Sequence, residues 1–295
     1  MILLIALGAA CLFGAAAVPS PQEPMRFANP QLLVDTRWLA EHLQSDDVRV
    51  VDAREAKDYA AGHLPRAVSV PRSATFDPEG AGSMAGSAER IAALFGAQGI
   101  DASVHVVVYD EGRGTAAARV FWTLEYYGHP KVSVLDGGFA KWSREEREVT
   151  QETPATKPVE LGVRPVPRRL STKAEVLADL GAADAVLVDA RSDGEYTGRT
   201  VRSERGGHVP GAVHIEWTRN FTEGEVPVFR SAAELSKLYQ DAGVTLDKRA
   251  HVYCQTAQRS SVAYLALRLL GHETPGNYDG SWQEWGDDPD VPIEK

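Results

Sequence analysis

An internal repeat constrains the fold of this chain more than any other feature of its sequence. Val51-Asp52-Ala53-Arg54 recurs as Val188-Asp189-Ala190-Arg191. Later pairs keep the same order in both halves and share one offset of 143 residues. These pairs are Gly128 and Gly271, Asp136 and Asp279, and Trp142 and Trp285. One structural module has therefore been used twice.

A second shared motif lies between these landmarks. Tyr59 is followed by Gly62-His63-Leu64-Pro65, and Tyr196 is followed by Gly207-His208-Val209-Pro210. The second copy is eight residues longer at this point, and the extra stretch RTVRSERG is rich in arginine. Because both copies have the histidine, we expect His208 to make a hydrogen bond in a turn, without a role in metal binding or proton transfer.

Within each copy, short β-branched runs alternate with helical patterns. The runs are Val48–Val51, Val104–Tyr109, Ala185–Val188 and His251–Tyr253. After the last of them, SSVAYLALRLLG shows a helical stripe that ends at Gly271. This alternation predicts an α/β fold in which each module is a mainly parallel sheet with helices on both faces.

The chain of 295 residues is long enough for two such domains. We expect the first at 30–149 and the second at 170–291. The Pro-rich stretch 150–169 lacks periodicity and is predicted to be the linker.

The first 24 residues begin with an almost wholly apolar run that leads into PSPQEP. Ala15-Ala16-Ala17 offers a cleavage site of small residues, so this segment is predicted to be a signal peptide or hydrophobic leader. We therefore expect a periplasmic or secreted protein. A lipid anchor on Cys11 and a cytoplasmic location are the alternatives.

Composition excludes several function classes. The net charge is −10 without a basic run, which argues against nucleic-acid binding. The only cysteines are Cys11 and Cys254, which rules out a disulfide framework or a Cys-rich metal site. The histidines are scattered without metal-ligand spacing, so no metal and no cofactor are expected.

Cys254 is the candidate nucleophile. It ends a predicted strand and precedes a predicted helix, and this edge of an open α/β sheet is where ligands bind. Main-chain N–H groups of Gln255, Thr256, Ala257, Gln258 and Arg259 could hold a thiolate or persulfide there. We expect a partly exposed, ionised sulfur. A buried and inert core cysteine is the alternative.

These motifs together resemble tandem-domain rhodaneses, the family of thiosulfate and 3-mercaptopyruvate sulfurtransferases. The resemblance covers about residues 30–291, and the loop CQTAQRS is similar to the CQTHHRS loop of some bacterial thiosulfate sulfurtransferases. It implies that Cys254 takes sulfane sulfur from thiosulfate or 3-mercaptopyruvate and passes it to cyanide or a thiol. The implied partners are a small anionic donor and a small or protein-borne acceptor.

The neighbours of Cys254 leave several interpretations open. Arg259 either recognises an anion or anchors the loop, perhaps through Asp189. Asp189 and Arg191 are repeated as Asp52 and Arg54 in the copy without a cysteine, which favours a structural ion pair.

Two substitutions depart from the family pattern. Glu195 stands where many relatives have a substrate-binding arginine, and a carboxylate there would repel an anionic donor. Arg199, Arg202 or Arg205 could compensate. Asp110 takes the place of the cysteine in the first copy, so that domain is expected to be a scaffold without catalytic activity.

Two other functions compete with sulfur transfer. A carrier that receives a persulfide without turnover would need the same cysteine. Cysteine phosphatases and arsenate reductases also place a cysteine and an arginine around an anion-binding loop. Here only four residues separate Cys254 from Arg259, which makes a cradle better suited to sulfur than to a phosphate ester.

Overall fold

A computed structural model describes residues 25–78 and 84–295. The predicted leader lies outside the described residues. No helix in the described part is long and apolar enough to cross a membrane.

The first repeat forms one five-stranded parallel sheet with five α-helices. In chain order its elements are β1 (Leu33–Val34), α1 (Thr36–His42), β2 (Val48–Asp52), α2 (Ala56–Ala61), β3 (Val68–Ser69), α3 (Ala88–Gly96), β4 (His105–Tyr109), α4 (Thr115–Tyr126), β5 (Val132–Leu135) and α5 (Gly138–Arg144). The strand order across the sheet is β1-β5-β4-β2-β3.

The second repeat forms the same arrangement. Its elements are β6 (Leu170–Ser171), α6 (Lys173–Ala178), β7 (Ala185–Asp189), α7 (Asp193–Tyr196), β8 (Val213–His214), α8 (Ala232–Asp241), β9 (Arg249–Tyr253), α9 (Arg259–Leu270), β10 (Pro275–Tyr278) and α10 (Ser281–Asp287). The strand order is β6-β10-β9-β7-β8. The prediction of two tandem α/β domains is confirmed.

Side chains on the central strands alternate between two apolar layers, because successive residues of a strand point to opposite faces. Val106 and Val108 belong to a cluster with α3 and α4, whereas Val107 and Tyr109 join α1, α2 and α5. The second domain repeats this division. Val188 belongs to the same cluster as Val106 and Val108, whereas Leu187 belongs to a separate cluster on the opposite face of its sheet. Helices therefore cover both faces of each sheet, as predicted.

The two domains meet through helices α4 and α9, which contribute to one continuous apolar cluster. Phe121 and Tyr264 lie there with ring centroids 6.4 Å apart. At the edge of this contact, Arg119 of the first domain forms a buried ion pair of 2.6 Å with Asp279 of the second. Apolar packing and a buried ion pair therefore join the two domains.

Two crossing segments repeat the contact symmetrically. The amide of Ala85 donates to the Asp279 carboxylate at 2.7 Å, and the amide of Phe229 donates to that of Asp136 at 2.9 Å. Asp136 and Asp279 are a matched pair of the sequence repeat. Each domain therefore extends a segment over its partner in the same way.

Candidate active site

Cys254 lies directly after β9, and α9 begins at Arg259, so the cysteine occupies a strand-to-helix turn as expected. The residue is only 1% exposed. The expectation of a partly exposed sulfur is therefore wrong for this conformation. Two main-chain hydrogen bonds join the loop to the start of α10. The Cys254 carbonyl accepts the amide of Trp282 at 2.9 Å, and the Gln255 carbonyl accepts the amide of Gln283 at 3.0 Å.

The loop owes its shape to two residues with left-handed backbone angles, Ala257 (φ 53°) and Ser281 (φ 52°). The Ser281 hydroxyl accepts the amides of Cys254 at 3.3 Å and Ala257 at 3.0 Å, and it donates to the Tyr278 carbonyl at 2.7 Å. Sequence reasoning missed Ser281. Its only signal was that the second copy reads Asp-Gly-Ser where the first reads Asp-Gly-Gly.

Four further loop amides, those of Gln255, Thr256, Gln258 and Arg259, form no hydrogen bond with any residue that the structure describes. N–H groups at the start of a helix lack an intrahelical acceptor and favour an anion nearby. The loop therefore has main-chain donors available for a negatively charged group.

The side chains of the two loop glutamines form hydrogen bonds with nearby hydroxyl groups. Gln255 donates through Nε2 to the Ser203 hydroxyl at 3.1 Å, which connects the loop to the eight-residue extension. Gln258 donates to the Thr256 hydroxyl at 3.3 Å, within the loop itself.

Arg259 is bound by Glu195, not by Asp189 as proposed from the sequence. Its Nη1 and Nη2 donate to the two carboxylate oxygens of Glu195 at 2.7 and 2.8 Å, a bidentate pair. Asp189 is unavailable because its oxygens are occupied by Arg191. Burial would lower the pKa of Arg259, but the hydrogen bonds from Arg259 to Glu195 and Coulombic interactions with Cys254 and Glu195 raise it, so this guanidinium stays charged.

Glu195 does not present a free negative charge to a donor. Burial alone would raise the pKa of this carboxyl, but hydrogen bonds from Arg259 and Ser192 outweigh it and hold the pKa at about 2. Arg202 adds a second positively charged group, with Nε 3.3 Å from Glu195 Oε1. The repulsion predicted for Glu195 is therefore wrong, because two guanidinium groups neutralise it.

The structure also chooses among the three arginines of the extension. Arg199 pairs with Asp193, and Arg205 donates to several main-chain carbonyls, including that of Trp285 at 2.9 Å. Arg202 alone of the three pairs with Glu195, and its side chain remains 61% exposed. It is the member of this group that lies against the Arg259–Glu195 pair, where a charged donor could meet it.

Asp189 and Arg191 form a buried ion pair in the second domain. Both are buried, at 0% and 1% exposure, and Arg191 Nη2 lies 2.6 Å from Asp189. The guanidinium also stacks 4.2 Å from the Trp282 ring and donates to the Gly207 carbonyl at 2.7 Å. The first domain repeats the pair as Asp52 and Arg54, at 2.7 Å. This geometry supports the structural interpretation.

His208 also behaves as a turn residue. Its Nδ1 lies 2.9 Å from the Tyr196 carbonyl oxygen, and its ring stacks on that tyrosine at 3.8 Å. His63 repeats both contacts with Tyr59, at 2.8 and 3.7 Å. Within residues 25–78 and 84–295, no group of three or more His, Cys, Asp or Glu side chains could hold a metal ion.

The matching loop of the first domain holds an anion of its own. Asp110 is 5% exposed, and its carboxylate accepts four main-chain N–H groups, those of Gly112, Gly114, Ala116 and Ala117, at 2.9 to 3.2 Å. The strand-to-helix turn of this module therefore favours a negative charge at the position that Cys254 occupies in the second domain.

Comparison with known proteins supports the class that the fold and the loop define. The family model for the rhodanese-like domain matches this chain twice, at residues 35–145 and 172–288. The chain therefore belongs to the rhodanese family.

Its relatives narrow the activity. A thiosulfate sulfurtransferase of Azotobacter vinelandii is 35% identical over 91% of this chain and 98% of its own length. The sulfur carrier protein TtuD of Thermus thermophilus is 37% identical over 92% of this chain and 99% of its own length. The 3-mercaptopyruvate sulfotransferase SseA of Escherichia coli superimposes with a TM-score of 0.75 at 29% identity, covering 85% of this chain and 98% of SseA. The chain is a sulfurtransferase enzyme that acts between a sulfur donor and an acceptor.

Proposed function

We propose that Cys254 carries the transferred sulfur as a persulfide and that thiosulfate is the donor. The thiolate attacks the sulfane sulfur, the S–S bond of thiosulfate breaks, and sulfite leaves with the electron pair. A nucleophilic acceptor, cyanide or a thiol, then attacks the outer sulfur and restores the thiolate. The scheme is a double displacement with ping-pong kinetics.

The observation that carries this proposal is the pair of matched loops. In the first domain, Asp110 shows that the turn stabilises an anion with four N–H donors. In the second, Cys254 stands at the same point, and the amides of Gln255, Thr256, Gln258 and Arg259 have no acceptor among the described residues. Gln255 and Ala257 complete the loop around the sulfur. A thiolate or persulfide is the anion that this sequence can supply there.

The surroundings of the loop favour a small anionic donor. Cys254 is 1% exposed, so a slender molecule such as thiosulfate reaches it more easily than a large substrate does. Arg202 is exposed beside Glu195 and supplies positive charge for the approach. 3-Mercaptopyruvate is the alternative donor.

The decisive experiment is intact-mass spectrometry of the full chain after incubation with thiosulfate, and separately with 3-mercaptopyruvate. A persulfide adds about 32 Da, and Cys254→Ser should abolish both this gain and thiocyanate formation. Thr256→Ser serves as the control because it keeps the loop and the nucleophile. Thiocyanate formation by the Cys254→Ser variant at the wild-type rate would refute the assignment.

A sulfur carrier is the second candidate, and the similarity to the carrier protein TtuD favours it. A carrier would accumulate persulfide stoichiometrically yet turn over slowly with every small acceptor, and it would pass sulfur to a partner protein. Comparing single-turnover persulfide formation with steady-state thiocyanate formation separates the two.

We also propose export to the periplasm or the exterior, because residues 1–18 are almost wholly apolar and Ala15-Ala16-Ala17 precedes a Pro-rich stretch. N-terminal sequencing of the protein from its native host tests this. A mature chain that begins close to Val18 supports export, and an intact leader on cytosolic protein contradicts it.

A further inference from the structure

A cavity of about 490 Å³ lies where the second domain's segment between Trp217 and Arg230 meets Arg113 of the first domain. One wall is Arg113, from the loop that begins at Asp110. The rest comes from the second domain's segment between Trp217 and Arg230. No residue of the Cys254 loop lines it. Its volume falls in the range of small-molecule binding sites.

The position of the cavity follows from the repeat. The segment between Trp217 and Arg230 crosses to the first domain, where Phe229 is held by Asp136 and Phe221 packs on Gly114. A Cβ atom added at Gly114 would lie 2.8 Å from the Phe221 ring. The cavity therefore lies beside the first domain's counterpart of the Cys254 loop, although this domain has no nucleophile.

The lining combines an apolar wall with an excess of positive charge, because three arginines and two glutamates line it. Trp217 and Phe221 form the wall, with ring centroids 6.2 Å apart in an edge-to-face arrangement. Arg113 and Arg219 form no ion pair with any residue in the described part of the chain. Both arginines line the cavity and are exposed, so an anion in solution can reach them.

The remaining charges on the lining are mostly paired. Arg230 lies 3.4 Å from Glu234, and Glu225 is bound by Arg144. Glu223 is exposed at the rim and is the one lining carboxylate without an ion pair in the described residues. The Asp110 carboxylate is occupied by four amides, so it does not compete for the arginines.

We propose that this cavity is a second, non-catalytic binding site for an organic oxyanion with a flat apolar body, such as an aryl sulfonate, thiosulfonate or carboxylate. The aromatic wall takes the apolar body, and Arg113 and Arg219 take the anionic group. The first domain thus keeps ligand binding where it has lost the chemistry, and the site draws residues from both domains.

Benzenesulfonate is the test ligand, and ligand-detected NMR with the full-length Cys254→Ser chain measures its affinity without turnover. We expect saturable binding, weakened about tenfold by Arg113→Ala combined with Arg219→Ala and weakened several-fold by Trp217→Leu. Methanesulfonate, which lacks the ring, should bind several-fold more weakly than benzenesulfonate. The matched control is Arg37→Ala, an arginine that is 82% exposed on α1.

Arg202→Ala separates this cavity from the Cys254 loop, and we expect it to leave benzenesulfonate binding unchanged. Binding that is lost with Arg202→Ala but kept in the Arg113/Arg219 double variant would place the ligand at the catalytic loop and overturn the proposal. Binding that does not saturate up to about 10 mM benzenesulfonate would also overturn the proposal. In the chain that keeps Cys254, the Arg113/Arg219 double variant should form thiocyanate at the wild-type rate. Failure of the second-site proposal can therefore be distinguished from failure of the sulfur-transfer proposal.

Discussion

Replacing Asp110 with alanine should destabilise the chain strongly while sparing its activity. The carboxylate accepts N–H groups from Gly112, Gly114, Ala116 and Ala117, all of which are buried, and it caps the start of α4. Alanine would leave all four donors without an acceptor.

A buried donor without an acceptor costs about 1–3 kcal/mol. Asp110 also borders an open cavity of about 460 Å³, so water can reach part of the turn and the lower end applies. We therefore expect a loss of about 3–4 kcal/mol in the free energy of unfolding for Asp110→Ala. Asp110→Asn keeps one acceptor oxygen and should lose about 1–2 kcal/mol.

Urea unfolding followed by circular dichroism measures the loss. The control is Asp46→Ala, whose carboxylate is fully exposed and pairs with Arg66 at the surface, so its loss should change stability little. The emptied turn should also bind inorganic sulfate, so sulfate should stabilise Asp110→Ala more than the wild type. A loss for Asp110→Ala equal to that of the control would refute the anion-cradle reasoning. Under folding conditions, thiocyanate formation should barely change.

Two further predictions concern the charges around the Cys254 loop. The pKa of Glu195 is about 2 in the folded chain against an ordinary value of 4.5, so its ionised form contributes up to about 3 kcal/mol of stability. Because the folded pKa is the lower one, this contribution is complete above about pH 4.5 and is lost as the pH falls toward 2. The stability advantage of the wild type over Glu195→Gln should shrink across that window in urea titrations, and a constant difference from pH 7 to 3 would contradict it. Arg202→Ala removes one exposed charge near the loop and should raise KM for thiosulfate about three- to tenfold at low salt, with kcat within about twofold. Steady-state kinetics with Arg199→Ala as the control checks this, and a fall in kcat at unchanged KM would show that Arg202 does something other than attract the donor.

The matched halves of the sequence were enough to predict the architecture. Repeated motifs and alternating strand and helix patterns depend on local propensity and burial, which are written residue by residue. The turn after Val252-Tyr253 was predicted for the same reason. Helix α9 ends at Leu270, and Gly271 follows it with a left-handed backbone (φ 100°), where the C-terminal glycine was expected.

The contacts around Cys254 could not be predicted. Glu195 lies 64 residues from Arg259 in the chain, and nothing in the spacing shows which arginine binds which carboxylate. Ser281, the first residue of α10, contacts the loop through the amide of Ala257, which lies 24 residues earlier in the chain. Such pairings depend on how separate elements pack.

By itself, the sequence determined that this chain has two α/β modules and that only the second keeps a cysteine at the strand-to-helix turn. Only the tertiary structure decided that the cysteine is buried, that Glu195 is neutralised by Arg259 and Arg202, and that Asp110 fills its own anion cradle. The reason is physical: strand and helix preferences are local, whereas burial and ion pairing depend on distances between residues that the fold alone brings together.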